Sequence, residues 1–298
     1  MQQQTKAYLL TFVAVLFWAT AASAFKIALQ HVTPYILRFY AAIVSTLALL
    51  VIVIFQGKLA ELRRVSARQV GKAALLGFIN PFFYYIVLFK AYALLPGQIA
   101  MSLNYGWPLA LTLLSVPLLK QKLSRSQLFT LVISFVGAII IATKGQIGGL
   151  QGLSRLGIVL AFASTIIWAF YWLLNARDGQ EPVIKLFLGF CFGVCYCVLF
   201  SPLFGGLTLP PARAFLPLAY IGLFEMGITF VLWLTALQLS STAARVGNLI
   251  YISPFLSLVF LWAIIGEQIH LATFIGLFLI VGSILYQELY PAKARTLN

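Results

Sequence analysis

Runs of about 20 mostly apolar residues, the length that crosses a bilayer as a helix, recur ten times along the chain. In the first half they lie near Tyr8–Leu29, Tyr35–Phe55, Val70–Phe89, Gln98–Leu119 and Leu128–Thr143. In the second half they lie near Leu156–Leu174, Ile184–Phe204, Phe215–Leu237, Ala243–Ile265 and Leu271–Tyr290. Polar and charged residues collect in the short joins, and Pro34, Pro96, Pro182 and the Pro210-Pro211 pair punctuate the places where helices stop. Glu225 in the eighth run and Arg38 in the second are charges inside otherwise apolar stretches. This pattern predicts an all-α integral membrane protein with ten transmembrane helices.

The pattern is also written twice. GFINPFFYYIVLFKAYALL from Gly77 and GLFEMGITFVLWLTALQLS from Gly222 align without a gap at an offset of about 145 residues. Tyr105 and Pro108 then match Tyr251 and Pro254, and Val136-Gly137 matches Val281-Gly282. Residues 1–148 are therefore one repeat and 149–298 the other. With five spans in each, an odd number, the second repeat is expected upside-down relative to the first. The loop after the fourth span is basic, KQKLS, and its counterpart after the ninth is EQIH, as opposite sides of the bilayer require.

Only 9% of residues are charged and 62% are hydrophobic, against about 25% charged in soluble domains. The net charge of +14 does not point to nucleic acid, because the basic residues sit in short loops instead of forming a stripe with interleaved aromatics. Placing Lys58, Arg63, Arg64, Arg68, Lys72, Lys120, Lys122, Arg125, Arg177 and Lys185 inside, with both termini cytoplasmic, leaves only Lys90, Lys144, Arg155 and Arg213 outside. The expected location is the inner (plasma) membrane. The first apolar run lacks a small-residue cleavage site and is expected to remain as a helix. Cys191, Cys195 and Cys197 share one apolar run without metal-ligand spacing, so neither a metal nor a cofactor is expected.

LFWATAASAFKIAL at 16–29, Pro34, Arg38-Phe39, the turn at 93–95, Pro108, and the stretch Thr235–Gly282 together resemble the drug/metabolite transporter superfamily, specifically its exporters with two EamA-type domains. LNYGWPLALTLL at 103–114 also resembles the fourth span of that superfamily's aromatic-amino-acid exporters. The resemblance implies a central cavity lined by the first, third, fourth, sixth, eighth and ninth spans, alternating access, and efflux from the cytoplasm.

Candidate site residues follow from the repeat and from polarity within spans. Asn80 and Glu225 occupy the same repeat position. A charge at the centre of a membrane helix costs about 2.5–3.5 kcal/mol on insertion scales, so Glu225 is expected to face protein or water. It is a candidate for proton coupling or for holding a substrate amino group; a structural hydrogen bond to a neighbouring helix is the plain alternative. Asn104, Tyr105 and Trp107 face the repeat-related Asn248 and Tyr251, where prolines free backbone carbonyls. Trp18 and Trp168 are repeat equivalents deep within their spans, accompanied by Ser23 in one and Tyr171 in the other; Tyr84 completes the set. Lys26 and Arg38 are expected to snorkel toward the outer interface or to meet a substrate carboxylate. The GFCFG run at 189–193 allows close helix approach, within the chain or in a homodimer; the protein is expected as a monomer or homodimer in lipid.

Enzyme chemistry finds little support. His31 and His270 stand at turns, Asp178 is the lone aspartate, and HExxH, GxSxG and Walker A patterns are absent. The loops are too short for a receptor's output domain, and rings of like charge suited to a channel are not evident. The expected function is secondary transport of small metabolites, amino acids foremost and aromatic ones favoured, with other amphipathic compounds (drugs, amines, carboxylates) as the alternative substrates.

Overall fold

The structure, a computed structural model, describes residues 3–95, 103–104, 106–121, 123–143, 145–146, 154–177, 180–265 and 271–289. Among these residues there are helices and turns and no strands. Six helical segments are long and apolar enough to cross a membrane: Gln3–Leu29, Pro34–Phe55, Ala67–Leu88, Arg155–Arg177, Pro182–Leu199 and Ala212–Leu239. Shorter apolar helices cover Trp107–Leu119, Arg125–Ile140 and Phe274–Ser283. The outward surface is itself apolar: Phe55 and Leu209 are each 86% exposed and Leu216 is 81% exposed. In water that surface would be a severe liability, and in lipid it is the solvent-facing side. This is a multi-pass membrane protein.

The first half comprises α1 (Gln3–Leu29), α2 (Pro34–Phe55), the short α3 (Leu59–Arg63), α4 (Ala67–Gly77), α5 (Tyr84–Leu94), α6 (Trp107–Leu119) and α7 (Arg125–Ala142). The second comprises α8 (Arg155–Arg177), α9 (Pro182–Leu199), α10 (Ala212–Tyr220), α11 (Ile228–Leu239), α12 (Ala243–Ile250), α13 (Ile252–Ile265) and α14 (Leu271–Leu289). Three of the expected runs are interrupted. Wide turns at Phe78–Phe83 and Ile221–Gly227 join α4 to α5 and α10 to α11. The ninth run breaks at Tyr251 because Pro254 has no N–H to offer the Ile250 carbonyl one turn earlier. The seventh ends at Leu199 and not at Phe204; a tight turn over Ser201–Phe204 carrying Pro202 follows it.

Packing between the halves follows an exchange pattern. Helix α1 packs on α11 and α13 of the second half, and α8 packs on α5 and α6 of the first. Helix α2 lies against the second wide turn, while α9 lies against α4 and the first wide turn. Helices α7 and α14, repeat equivalents, pack on each other, with a Ser134–Ser283 hydroxyl bond of 2.8 Å between them. Among the described residues, these principal contacts of one repeat with the other are thus returned by the corresponding elements.

Missing side chains make these approaches possible. A Cβ on Gly77 would lie 2.2 Å from the Gly189 carbonyl oxygen, and one on Gly193 would lie 2.5 Å from the Pro81 ring. The GFCFG run therefore seats α9 against the third run within the same chain. At the repeat-equivalent position, a Cβ on Gly222 would lie 2.5 Å from Val44 of α2. Small residues let helices close in where lipid provides no hydrophobic drive for association.

Polar ends are satisfied locally. Ser66 and Gln69 form a reciprocal capping box at the start of α4. Glu181 accepts from the Val183 and Ile184 amides at 2.8 and 3.2 Å, capping α9, and pairs with Lys58 from the loop after α2.

Candidate functional site

The two wide turns meet the centre of the bundle by different routes. Pro81 lacks an amide hydrogen and its ring crowds the residue before it, so Asn80 leaves the helical region (φ −150°, ψ 129°). The Ile221–Gly227 segment contains no proline and loosens by widening, which frees carbonyls that an α-helix would engage. Two of those carbonyls find side-chain donors from the other half. Trp18 Nε1 donates to the Glu225 carbonyl at 3.0 Å, and Ser45 Oγ donates to the Gly222 carbonyl at 2.8 Å. Thr20 and Tyr220 share a hydroxyl bond of 2.6 Å beside them.

Glu225 is 8% exposed, and its carboxylate accepts the Tyr85 hydroxyl, which stands 3.1 Å from each oxygen. Among the described residues no cation is within ion-pair distance of it. Its repeat partner Asn80 is fully buried beside Tyr171. Thus the duplicated position carries a carboxylate on one side of the centre and a neutral amide on the other.

Around this pair stands an aromatic box drawn from both halves. Trp107 has its ring centroid 6.1 Å from that of Trp18, 5.4 Å from Trp233 and 6.3 Å from Trp168. Trp18 and Trp233 lie 5.7 Å apart, and Trp168 packs on Tyr84 at 4.4 Å with the rings tilted by 34°. Trp172 and Phe230 close the far side, 5.6 and 5.5 Å from Trp168. Most of these ring pairs are edge-to-face, the arrangement favoured by ring quadrupoles. Asn104 bridges the box to the sixth run, donating from Nδ2 to Ser164 Oγ at 2.9 Å and to the Tyr84 hydroxyl at 3.4 Å. Of the sequence candidates, Trp18, Tyr84, Asn104, Trp107, Trp168 and Glu225 are brought together here, with Asn80 and Tyr171 adjoining.

Other candidates sit elsewhere. Ser23 is buried on α1 above Trp18, its hydroxyl without an acceptor. Asn248 is buried on α12, next to Gly247, which faces Pro108 and Thr112 of α6. Tyr251 is fully buried, in a separate cluster with Leu131, Ala138, Ala244 and Ile280 and not in the aromatic box. Tyr105 lies outside the described residues, as does the side chain of Lys26.

Arg38 does not snorkel. It is 2% exposed, donates from Nη1 to the Phe82 carbonyl at 3.1 Å, and lies 4.5 Å above the Tyr35 ring and 5.1 Å from the Phe82 ring. Tyr35 in turn donates to the Cys197 carbonyl, so this cation ties α2, α9 and the first wide turn together. Burial against ring faces and a carbonyl freed near Pro81 outcompetes the reach to the interface.

Tyr85, Ser164, Trp172, Phe230 and Trp233 were not among the sequence candidates. A signal existed for two of them: Trp172 is one helical turn beyond Trp168 and Trp233 is about two turns beyond Glu225. Phe230 is the repeat equivalent of Tyr85, itself no candidate.

A multi-helix membrane protein built from two exchanged halves around a polar, aromatic-lined centre has the make-up of a transporter. The model of the EamA-like transporter family matches residues 5–143 and again 155–286, and the chain belongs to that family. It is 24% identical over 280 residues to the uncharacterized transporter YdfC of Bacillus subtilis, covering 93% of this chain and 89% of that one. It is 25% identical over 270 residues to the aromatic amino acid exporter YddG of Ancylobacter novellus, covering 85% and 87%. A protein of known crystal structure shares the fold over 98% of both chains, with a TM-score of 0.83 and 24% identity.

Proposed function

We propose that this protein is an inner-membrane secondary transporter that exports small metabolites by alternating access, with aromatic amino acids as the foremost substrates. In this reading ten spans form two inverted five-helix repeats, residues 1–148 and 149–298, with both termini in the cytoplasm. The halves rock about the shared centre so that the site opens to each side in turn. The protein acts as a carrier and not as an enzyme.

One observation carries the reading: Glu225 and the aromatic box stand where the two halves meet, and each half contributes walls to the same place. Ring faces suit a flat apolar body, the carboxylate suits an amino group, and Asn104 offers a directional amide. The Asn-Tyr-x-Trp-Pro motif and the likeness to an aromatic amino acid exporter support the same substrate class. Glu225 is also the group suited to exchanging a proton for substrate. Proteoliposomes loaded with labelled tryptophan, phenylalanine and threonine, with and without an imposed pH gradient, test this. Efflux of the aromatic compounds above that of threonine is expected; absence of net flux for all compounds contradicts the transport reading.

A further inference from the structure

Building on the transport reading of this centre, we infer that the site reads the ammonium group of an aromatic substrate and leaves its carboxylate unread, so that aromatic amines bind more tightly than the corresponding amino acids. Glu225 brings a carboxylate to the centre with a single donor, the Tyr85 hydroxyl, shared between its oxygens. An ionised carboxylate has room for about four hydrogen bonds, so acceptor capacity is left over. Trp18 stands beside it with its N–H edge on the Glu225 carbonyl, and Tyr84 and Trp168 pack next to Tyr85; the faces of such rings carry the negative lobe of the quadrupole. A carboxylate and ring faces together attract a cation and repel an anion.

Nothing described supplies the opposite pole that a zwitterion needs. Arg38 is held against the Tyr35 and Phe82 rings with Nη1 on the Phe82 carbonyl, in the α2–α9 contact and not beside Glu225, although its Nε and Nη2 have no acceptor among the described residues. Lys185 donates to the Asn175 carbonyl. Neutral donors do exist: the indole N–H groups of Trp168, Trp172 and Trp233 have no acceptor among the described residues. Trp172 and Trp233 are 0% exposed, so their N–H groups are sealed within the ring cluster. Trp168 is left, with the unpartnered Ser23 hydroxyl and Asn80 amide; all are neutral, and neutral donors do not supply the charge that balances a buried carboxylate. Charge balance at Glu225 therefore favours a ligand of net charge +1 over one of net charge zero.

Purified protein in nanodiscs, titrated with tryptamine, tryptophan and indole-3-propionate, tests this with one ring system in three charge states. Tryptamine is expected to bind roughly tenfold or more tightly than tryptophan, with indole-3-propionate weakest. In Glu225→Gln, which keeps the side-chain shape, the tryptamine advantage is expected to collapse toward parity while thermal unfolding stays cooperative. If that variant does not fold, the wild-type ranking alone decides. Tryptophan binding as tightly as tryptamine, or a ranking unchanged in folded Glu225→Gln, overturns the inference and assigns the carboxylate to the indole donors. Exchange of labelled tryptophan and tryptamine across proteoliposomes separates the two failures. Exchange with the wrong ranking sinks this inference alone, whereas failure of both, and of a wider amino acid and amine panel, removes the transport reading with it.

Discussion

The third and eighth runs began as copies, and their differences show how a duplicated scaffold acquires one asymmetric site. Gly77 and Gly222 do the same work in both, letting the run close on α9 and on α2 respectively. Three residues later the copies diverge. Asn80 is thrown out of helical geometry by Pro81, whereas Glu225 sits in a proline-free wide turn whose carbonyl is taken by Trp18. Tyr85 and Phe230, again equivalents, complete the contrast: the hydroxyl is present on the copy that faces the carboxylate and absent on the other. Shared positions hold the halves together, and diverged positions provide the single charge.

Exchanging the diverged positions should have the largest effect. In Asn80→Glu with Glu225→Asn, the carboxylate moves to a fully buried place without the Tyr85 partner. An unpaired buried charge costs about 3–5 kcal/mol, so substrate flux in proteoliposomes is expected to fall to background without rescue. Restored flux would mean that the two sides are interchangeable. Tyr85→Phe, which makes the first copy like the second, removes a hydrogen bond to a charged group worth about 1.5–3 kcal/mol. Substrate affinity should change by roughly tenfold or more while the folded yield is retained; unchanged affinity would place Glu225 outside the site. The shared positions predict a different readout. Gly222→Ala forces a Cβ into Val44 and should lower thermal stability in detergent by about 1–3 kcal/mol, whereas Gly282→Ala, with nothing within 4 Å, should be close to neutral.

Part of this is legible in the amino-acid sequence. The duplication was legible in the element order, but the third and ninth runs were expected as continuous spans, and the breaks at Pro81 and before Pro254 emerge from the structure. Depth within the spans singled out Trp18, Trp168 and Glu225. What stayed hidden was rotation. A membrane helix that is apolar on every side gives no periodic stripe to say which face turns inward, so Trp233, Trp172 and Tyr85 looked like neighbours of many lipid-facing residues. Tyr251 illustrates the same gap: its repeat match to Tyr105 and its nearness to Pro254 suggested the site, and the structure packs it against Leu131 and Ala138 of α7 and Ile280 of α14, apart from the aromatic box. The wide turn around Glu225 left no proline to announce it.

The inversion of the halves is the claim on which the shared site depends, and it is open to a direct measurement. In a background lacking Cys191, Cys195 and Cys197, single cysteines at Gln121 and at Gln268 occupy matching places after the fourth and ninth runs. Labelling in intact cells with a membrane-impermeant maleimide should modify Gln268→Cys and spare Gln121→Cys until the membrane is permeabilised. Equal labelling of both from one side would contradict the inverted arrangement and the alternating-access cycle built on it.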